Sequence, residues 1–241
     1  MRLSPLYLVA LVIPLQATAG TEPVPRGRLP DSVMPHRYRL TLTIDPRQPE
    51  FAGLTEIDVT IQEPVSTIWL HGRGLKVSRA RLVAAGHEIA ARYEEVDSLS
   101  GVSRVELDTP ASPGRAVLSF AYTAPFQQTP QGLYRTAVSG EWYAFSQMEP
   151  IDARRVFPGF DEPRFKTPFD VTVISHPRDK VIANAPLKSR ATVSGRSRHS
   201  FRATLPLPTY LLAVAVGPLD VVDARPLAPS EVRQRPLRCG S

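Results

Sequence analysis

Between Arg37 and Ile44 the chain alternates strictly: Tyr38, Leu40, Leu42 and Ile44 are apolar, and Arg37, Arg39, Thr41 and Thr43 are polar. A period of two places the four apolar side chains on one side of an extended strand, whereas a helix would scatter them around its axis. Ile57, Val59 and Ile61 repeat the pattern against Glu56, Asp58, Thr60 and Gln62. Further short strands are predicted at 67–71, 75–83, 104–107 and 115–123, and in the second half at 169–175, 180–183, 190–193 and 200–205. Pro, Gly and Asp clusters such as Asp45-Pro46, Glu63-Pro64 and Ser112-Pro113-Gly114 separate them, as turns require. The continuous apolar run YLLAVAV, Tyr210 to Val216, is predicted to be a central strand buried on both faces.

Proline content supports the same reading. The chain has 25 prolines in 241 residues, about twice the usual ~5% share. Proline is excluded from helix interiors and central strands, so this composition favours short strands joined by many turns. No window of helical length shows a helical period. The predicted class is therefore all-β and antiparallel, built without an internal repeat.

The two ends read differently from the middle. Arg2, the apolar run from Leu6 to Leu15 and Ala17-Thr18-Ala19 have the layout of a secretory signal peptide over residues 1–19, cut before Gly20. The run is shorter than the ~20 residues a membrane-spanning helix needs, and Pro14 interrupts it. No Cys adjoins the cut, so no stable membrane anchor is expected there. Residues 20–30 read as an irregular leader, 31–223 as one β domain, and 224–241 as a polar, Pro-rich linker or truncated tail. Export to the periplasm or medium follows from this reading. The single cysteine, Cys239, excludes an intramolecular disulfide.

The formal charge is +6, and only four of the 29 basic residues are Lys. The cations are spread without long runs or interleaved aromatics, so the reading is a solvated basic surface and no nucleic-acid partner. His87-Glu88 opens like the zinc-peptidase motif H-E-x-x-H, but Ala91 stands at the second ligand position. His36, His71, His176 and His199 are isolated. There is no G-x-S-x-G elbow and no Gly-rich phosphate loop. This chain carries no visible catalytic machinery.

One segment is nevertheless dense in charge: SQMEPIDARRVFPGFDEP, Ser146 to Pro163. Arg154 and Arg155 are expected to neutralise Asp152, Asp161 and Glu162 in an ion-paired structural cluster, because desolvated carboxylates must be paired. Gln147 and Glu149 differ. Two apart in an extended strand, they point to one face, where an amide and a carboxylate could grip an ammonium and a neighbouring peptide carbonyl.

This segment resembles the stretch T-Q-x-E-x-x-x-A-R-x-x-F-P-C-x-D-E-P of M1-family zinc aminopeptidases, the aminopeptidase N family. LPDSVMPHRYRLTLTID is similar to the family's opening strand, and GLYR (Gly132 to Arg135) to its tyrosine-containing loop. FKTPFDVTV, VIANAPL and PTYLLAVAVGPLDVV resemble the strands that close its N-terminal domain. The resemblance runs from about Leu29 to Asp223, with Gly159 in place of the commoner Cys.

It implies a saddle-like antiparallel domain that forms one wall of the active-site cleft and packs on a zinc catalytic domain. Gln147 and Glu149 would bind the N-terminus of a peptide substrate, Glu149 meeting the α-ammonium. The family's G-x-M-E-N and H-E-x-x-H motifs do not occur in this sequence, so the chain itself is expected to hold no metal and no activity; zinc is implied for the full-length family. The competing expectation is a free-standing exported β module that binds peptides or a protein partner without catalysis.

Overall fold

The computed structural model describes residues 23–222. The predicted signal peptide and the tail from 224 onward lie outside these residues. Fourteen strands are present among them: β1 Val33–Thr43, β2 Glu50–Ile61, β3 Val65–His71, β4 Lys76–Ala84, β5 His87–Asp97, β6 Val102–Ala111, β7 Gly114–Pro125, β8 Gly132–Val138, β9 Glu141–Gln147, β10 Phe169–Ser175, β11 Lys180–Ala183, β12 Leu187–Val193, β13 Arg196–Phe201 and β14 Val214–Gly217. The described helical elements are two 3₁₀ turns, Ala153–Arg155 and Thr209–Leu211. No described helix is long and apolar enough to cross a membrane.

The strands form a ten-stranded sheet in the order β12-β13-β10-β1-β2-β7-β4-β5-β6-β3 and a four-stranded sheet in the order β11-β14-β9-β8. The all-β, mostly antiparallel class is the one the alternation predicted. One pair departs from it: β10 runs parallel to β1, with Tyr38 opposite Phe169 and Thr43 opposite Ile174. Parallel neighbours cannot be joined by a tight hairpin. The chain instead reaches β10 through the long irregular stretch 148–168, which is the charged segment of the sequence. The topology therefore lifts that segment out of the sheets and holds it against their ends.

The alternating residues behave as their period requires. Tyr38, Leu40, Leu42 and Ile44 are each no more than 1% exposed, as are Ile57, Val59 and Ile61. Fully burying an apolar side chain of this size contributes about 1.5–3 kcal/mol. Tyr38 stacks on Phe169 with ring centroids 4.7 Å apart, and its hydroxyl accepts the Phe160 N–H at 2.8 Å. Burial pushes its phenol well above the ordinary tyrosine range, so it stays neutral. Gly159 lies against this ring: a Cβ there would meet Tyr38 Cε1 at 3.0 Å.

Several elements differ from the sequence reading. His87-Glu88-Ile89-Ala90-Ala91 is the start of β5, paired with β4 across the Ala85-Gly86 turn, where both residues take positive φ. Glu88 accepts from Arg81 at 2.7 Å instead of facing a metal. The strands β5, β8 and β9 fall outside the segments that the sequence alternation predicts. The run Tyr210 to Val216 is only in part a strand. Thr209–Leu211 is a 3₁₀ turn, Leu211 is 46% exposed, and β14 begins at Val214. The cause is Asn184, whose amide donates to the Leu211 carbonyl at 2.9 Å and accepts the Ala213 N–H at 2.6 Å. These local bonds replace sheet pairing across Leu211 to Ala213.

Candidate peptide-binding face

The site is built on the β8–β9 hairpin. Its two-residue turn, Ser139-Gly140, has φ of 52° and 84°, both positive, which matches the right-handed twist of the flanking strands. Along β9, Ala144 is fully buried, while Tyr143, Phe145 and Gln147 lie on the opposite face. From β8, Tyr134 stands opposite Phe145 and Gly132 opposite Gln147. The three aromatic rings form a half-buried ledge: Tyr143 and Phe145 are near-parallel at 6.3 Å, and Tyr134 meets Phe145 at 6.0 Å. Gly217 permits this, since a Cβ there would lie 2.7 Å from Tyr143 Cδ1.

The hairpin is anchored at both ends. Arg135 donates to the Gln48 carbonyl at 2.6 Å and the Pro46 carbonyl at 3.2 Å, and its guanidinium lies 4.6 Å from the centre of the Trp142 ring. At the other end Gly132 adopts φ +59°, and an added Cβ would lie 2.9 Å from Arg155 Cβ. The tyrosine loop is thereby pressed against the 3₁₀ turn Ala153–Arg155.

Gln147 is the last residue of β9, and Glu149 falls in the turn that follows, so the two do not share one continuous strand. They still flank a buried residue, Met148, which is 2% exposed, and both are exposed themselves. Neither side chain has a hydrogen bond or ion pair with another described residue. The turn is closed by the Asp152 N–H donating to the Met148 carbonyl at 2.8 Å, and the Glu149-Pro150 bond is cis. A carboxylate and an amide thus stand at the end of an aromatic ledge without an internal partner.

The five charged residues downstream are used differently. Arg154 is 6% exposed and Asp161 4%; Arg154 Nε donates to Asp161 Oδ2 at 2.8 Å, and Nη2 donates to the Asp161 carbonyl at 2.9 Å. A further Arg154 bond reaches the Ser100 carbonyl, and Thr209 donates its hydroxyl to Asp161 Oδ1. Arg155 pairs with Asp152 at 2.6 Å. Glu162 is paired by neither of these arginines: it accepts from Arg164 at 2.5 Å and from the Leu29 N–H at 2.5 Å. Leu29 and Asp31, which also pairs with Arg164, are thereby tied to the cluster. The irregular leader is consequently fastened at its end by the segment more than 130 residues downstream.

Sequence reasoning missed His71, which is 5% exposed at the end of β3. It lines a cavity of about 280 Å³ together with Arg154, Asp161 and Glu162. Burial, followed by the Arg154 charge, pushes its imidazole down to about 3, so it is neutral at physiological pH. Its Nδ1 has no hydrogen-bond partner. No spacing rule could have found it, because His71 meets the charged segment only in the fold, through backbone bonds of 2.8 and 2.9 Å with the distant Gly159. The alternation of Tyr143, Phe145 and Gln147 with Ala144 and Ser146 in EWYAFSQ is the sequence signal for this ledge.

Residues 34–211 match the peptidase M1 N-terminal domain. The chain belongs to the peptidase M1 family, as its N-terminal domain. It is 31% identical over 243 residues to aminopeptidase N of Acetobacter pasteurianus, covering 94% of this chain and 67% of that protein. With human endoplasmic reticulum aminopeptidase 1 it shares 32% identity over 208 residues, and with bovine glutamyl aminopeptidase 27% over 208 residues. It spans 22% of the length of each of these two relatives. Among the described residues no three His, Cys, Asp or Glu side chains converge into a metal-sized group. The zinc implied by the family therefore fits no described group of this domain.

Proposed function

We propose that this domain forms the substrate wall of an exported M1 aminopeptidase, holding the free N-terminus of a peptide while a zinc domain packed against it cleaves the first bond. The observation that carries this reading is the pair Gln147 and Glu149: exposed, unpaired and set on either side of buried Met148. Glu149 accepts the substrate's α-ammonium, and Gln147 bonds an adjacent peptide carbonyl. The ledge of Tyr134, Tyr143 and Phe145 lies along the face of β9 that Gln147 shares, and a peptide laid over it excludes water from the contact, which strengthens it. The Arg154–Asp161 pair sets the position of the turn and touches no substrate. Export rests on the composition of residues 1–19. Among the described residues no group of His, Cys, Asp or Glu side chains could hold a metal that activates water, so the cleavage step is assigned to the zinc domain.

The test is the Glu149→Gln variant in the protein joined to its zinc domain. Truncating one partner of a desolvated charge pair costs about 2–5 kcal/mol, so kcat/KM for free-amine peptides falls at least ~30-fold. Binding of N-acetylated peptides stays unchanged, because they carry no ammonium. Unchanged free-amine kinetics would overturn the assignment.

A further inference from the structure

The cations are spread over the chain as a whole, but one stretch concentrates them. Residues 178–202 hold seven basic side chains, Arg178, Lys180, Lys188, Arg190, Arg196, Arg198 and Arg202, against one acid, Asp179. All seven are exposed. Asp179 is unavailable to them, since it is buried and bonded to Arg47 at 2.7 Å. None of the seven forms an ion pair with a described residue, whereas the arginines on β1 are salt-bridged to Asp58, Glu56 and Asp170. Arg190 instead bonds the Pro177 carbonyl and the Ser197 hydroxyl, each at 3.1 Å, which draws the start of this segment to its end.

Lys188 and Arg190 on β12, and Arg196 and Arg198 on β13, stand at an open sheet edge, whereas Lys180 is on β11 of the other sheet. Among the described residues β12 pairs only with β13, so every second residue of Leu187–Val193 presents its N–H and C=O outward. Arg196 and Arg198 share one face of β13, because Ser197 and His199 are buried on the other, and Arg202 directly follows the strand's last residue, Phe201. Their cross-strand neighbours on β12 are small: Val193 faces Arg196, and Ala191 faces Arg198. Side chains of that size let a guanidinium reach across β12 to a strand laid on its outer side. A second copy of this edge would bring like charges together, which excludes self-pairing.

We propose that the outer edge of β12 is a docking site for an acidic extended peptide segment of a partner protein, added as an eleventh strand. Main-chain bonds to β12 supply the register, and Glu or Asp at alternate positions meets the arginine row on β13.

The test uses the full chain and a fluorescein-labelled octapeptide that alternates Glu with Val or Thr. Saturable anisotropy is expected, with amide NMR shifts centred on Leu187–Val193. Affinity should fall about tenfold in the Arg196→Glu/Arg198→Glu variant. An unchanged melting temperature confirms that the variant folds, and the milder Arg196→Gln/Arg198→Gln variant weakens binding in the same direction. N-methylation of alternate peptide residues should abolish binding, because it blocks the backbone ladder without altering charge. Equal binding of the N-methylated peptide, or unaltered affinity in the charge-reversed variant, would overturn the proposal. So would tighter binding to phosphatidylglycerol vesicles or duplex DNA than to the peptide, which would mark an unspecific anionic surface.

Discussion

Arg154 and Asp161 form a buried ion pair with Nε and Oδ2 2.8 Å apart, and the same guanidinium also bonds the Asp161 carbonyl. The pair closes the loop that carries the 3₁₀ turn, and through the Ser100 carbonyl it also holds the β5–β6 connection. Because Met148 is bonded to Asp152 just before this turn, the pair determines where the exposed Glu149 stands without touching it.

Arg154→Ala leaves Asp161 buried with only Thr209 as a side-chain partner. Removing one member of a buried pair costs about 3–5 kcal/mol. We expect a lowered melting temperature in thermal unfolding followed by circular dichroism. Glu149→Gln, at an exposed site, should leave the melting temperature within error. If the two variants melt alike, the division between structural and binding charges is wrong.

Tyr38→Phe removes the acceptor of the Phe160 N–H while keeping the stack on Phe169. A buried donor left unpaired costs about 1–3 kcal/mol. Urea unfolding should show a lower midpoint at an unchanged slope, since the surface exposed on unfolding is the same.

Gly132→Ala places a Cβ 2.9 Å from Arg155 Cβ at a φ of +59°. Strain of this kind costs of order 1–3 kcal/mol. The resulting shift at the base of the hairpin should be visible as altered Tyr134 and Phe145 side-chain signals in NMR, with weaker peptide binding in the zinc-joined protein.

His71 makes stability depend on pH. In the folded chain its imidazole is held down to about 3 by burial and by Arg154, whereas in the unfolded chain it titrates normally. The unfolded state therefore binds the extra proton as pH falls. The stabilisation is complete above ~6.5, the unfolded value, and is lost toward pH 3 at a limiting slope of about 1.4 kcal/mol per pH unit. His71→Gln should flatten the unfolding free energy in that window relative to wild type. His199, also pushed down by burial and then by Arg190, contributes in the same direction and leaves a residual slope.

How much was legible depended on whether a signal was local. The alternation in β1 and β2 reported its own burial, because a strand's two faces differ by one residue whatever it pairs with. The segment Ser146 to Pro163 announced itself by density of charge, and its arginines could be expected to find carboxylates. Which carboxylate each would find was not legible: Glu162 went to Arg164 and Leu29, partners set by the approach of the leader. The apolar run Tyr210 to Val216 misled because hydrophobicity alone does not reveal Asn184, 27 residues upstream, bonding into it.

Sequence by itself determined that this protein is a β domain, which residues of β1 and β2 face the core, and the family whose motif it bears. Tertiary structure alone decided that β10 lies parallel to β1, that His71 is buried beside Arg154, and that β12, next to the arginines of β13, is an open edge among the described residues. The physical reason is the range of the forces involved. Side-chain periodicity and turn chemistry act over a few residues, whereas desolvation and ion pairing act on whatever groups the folded chain brings within a few ångströms.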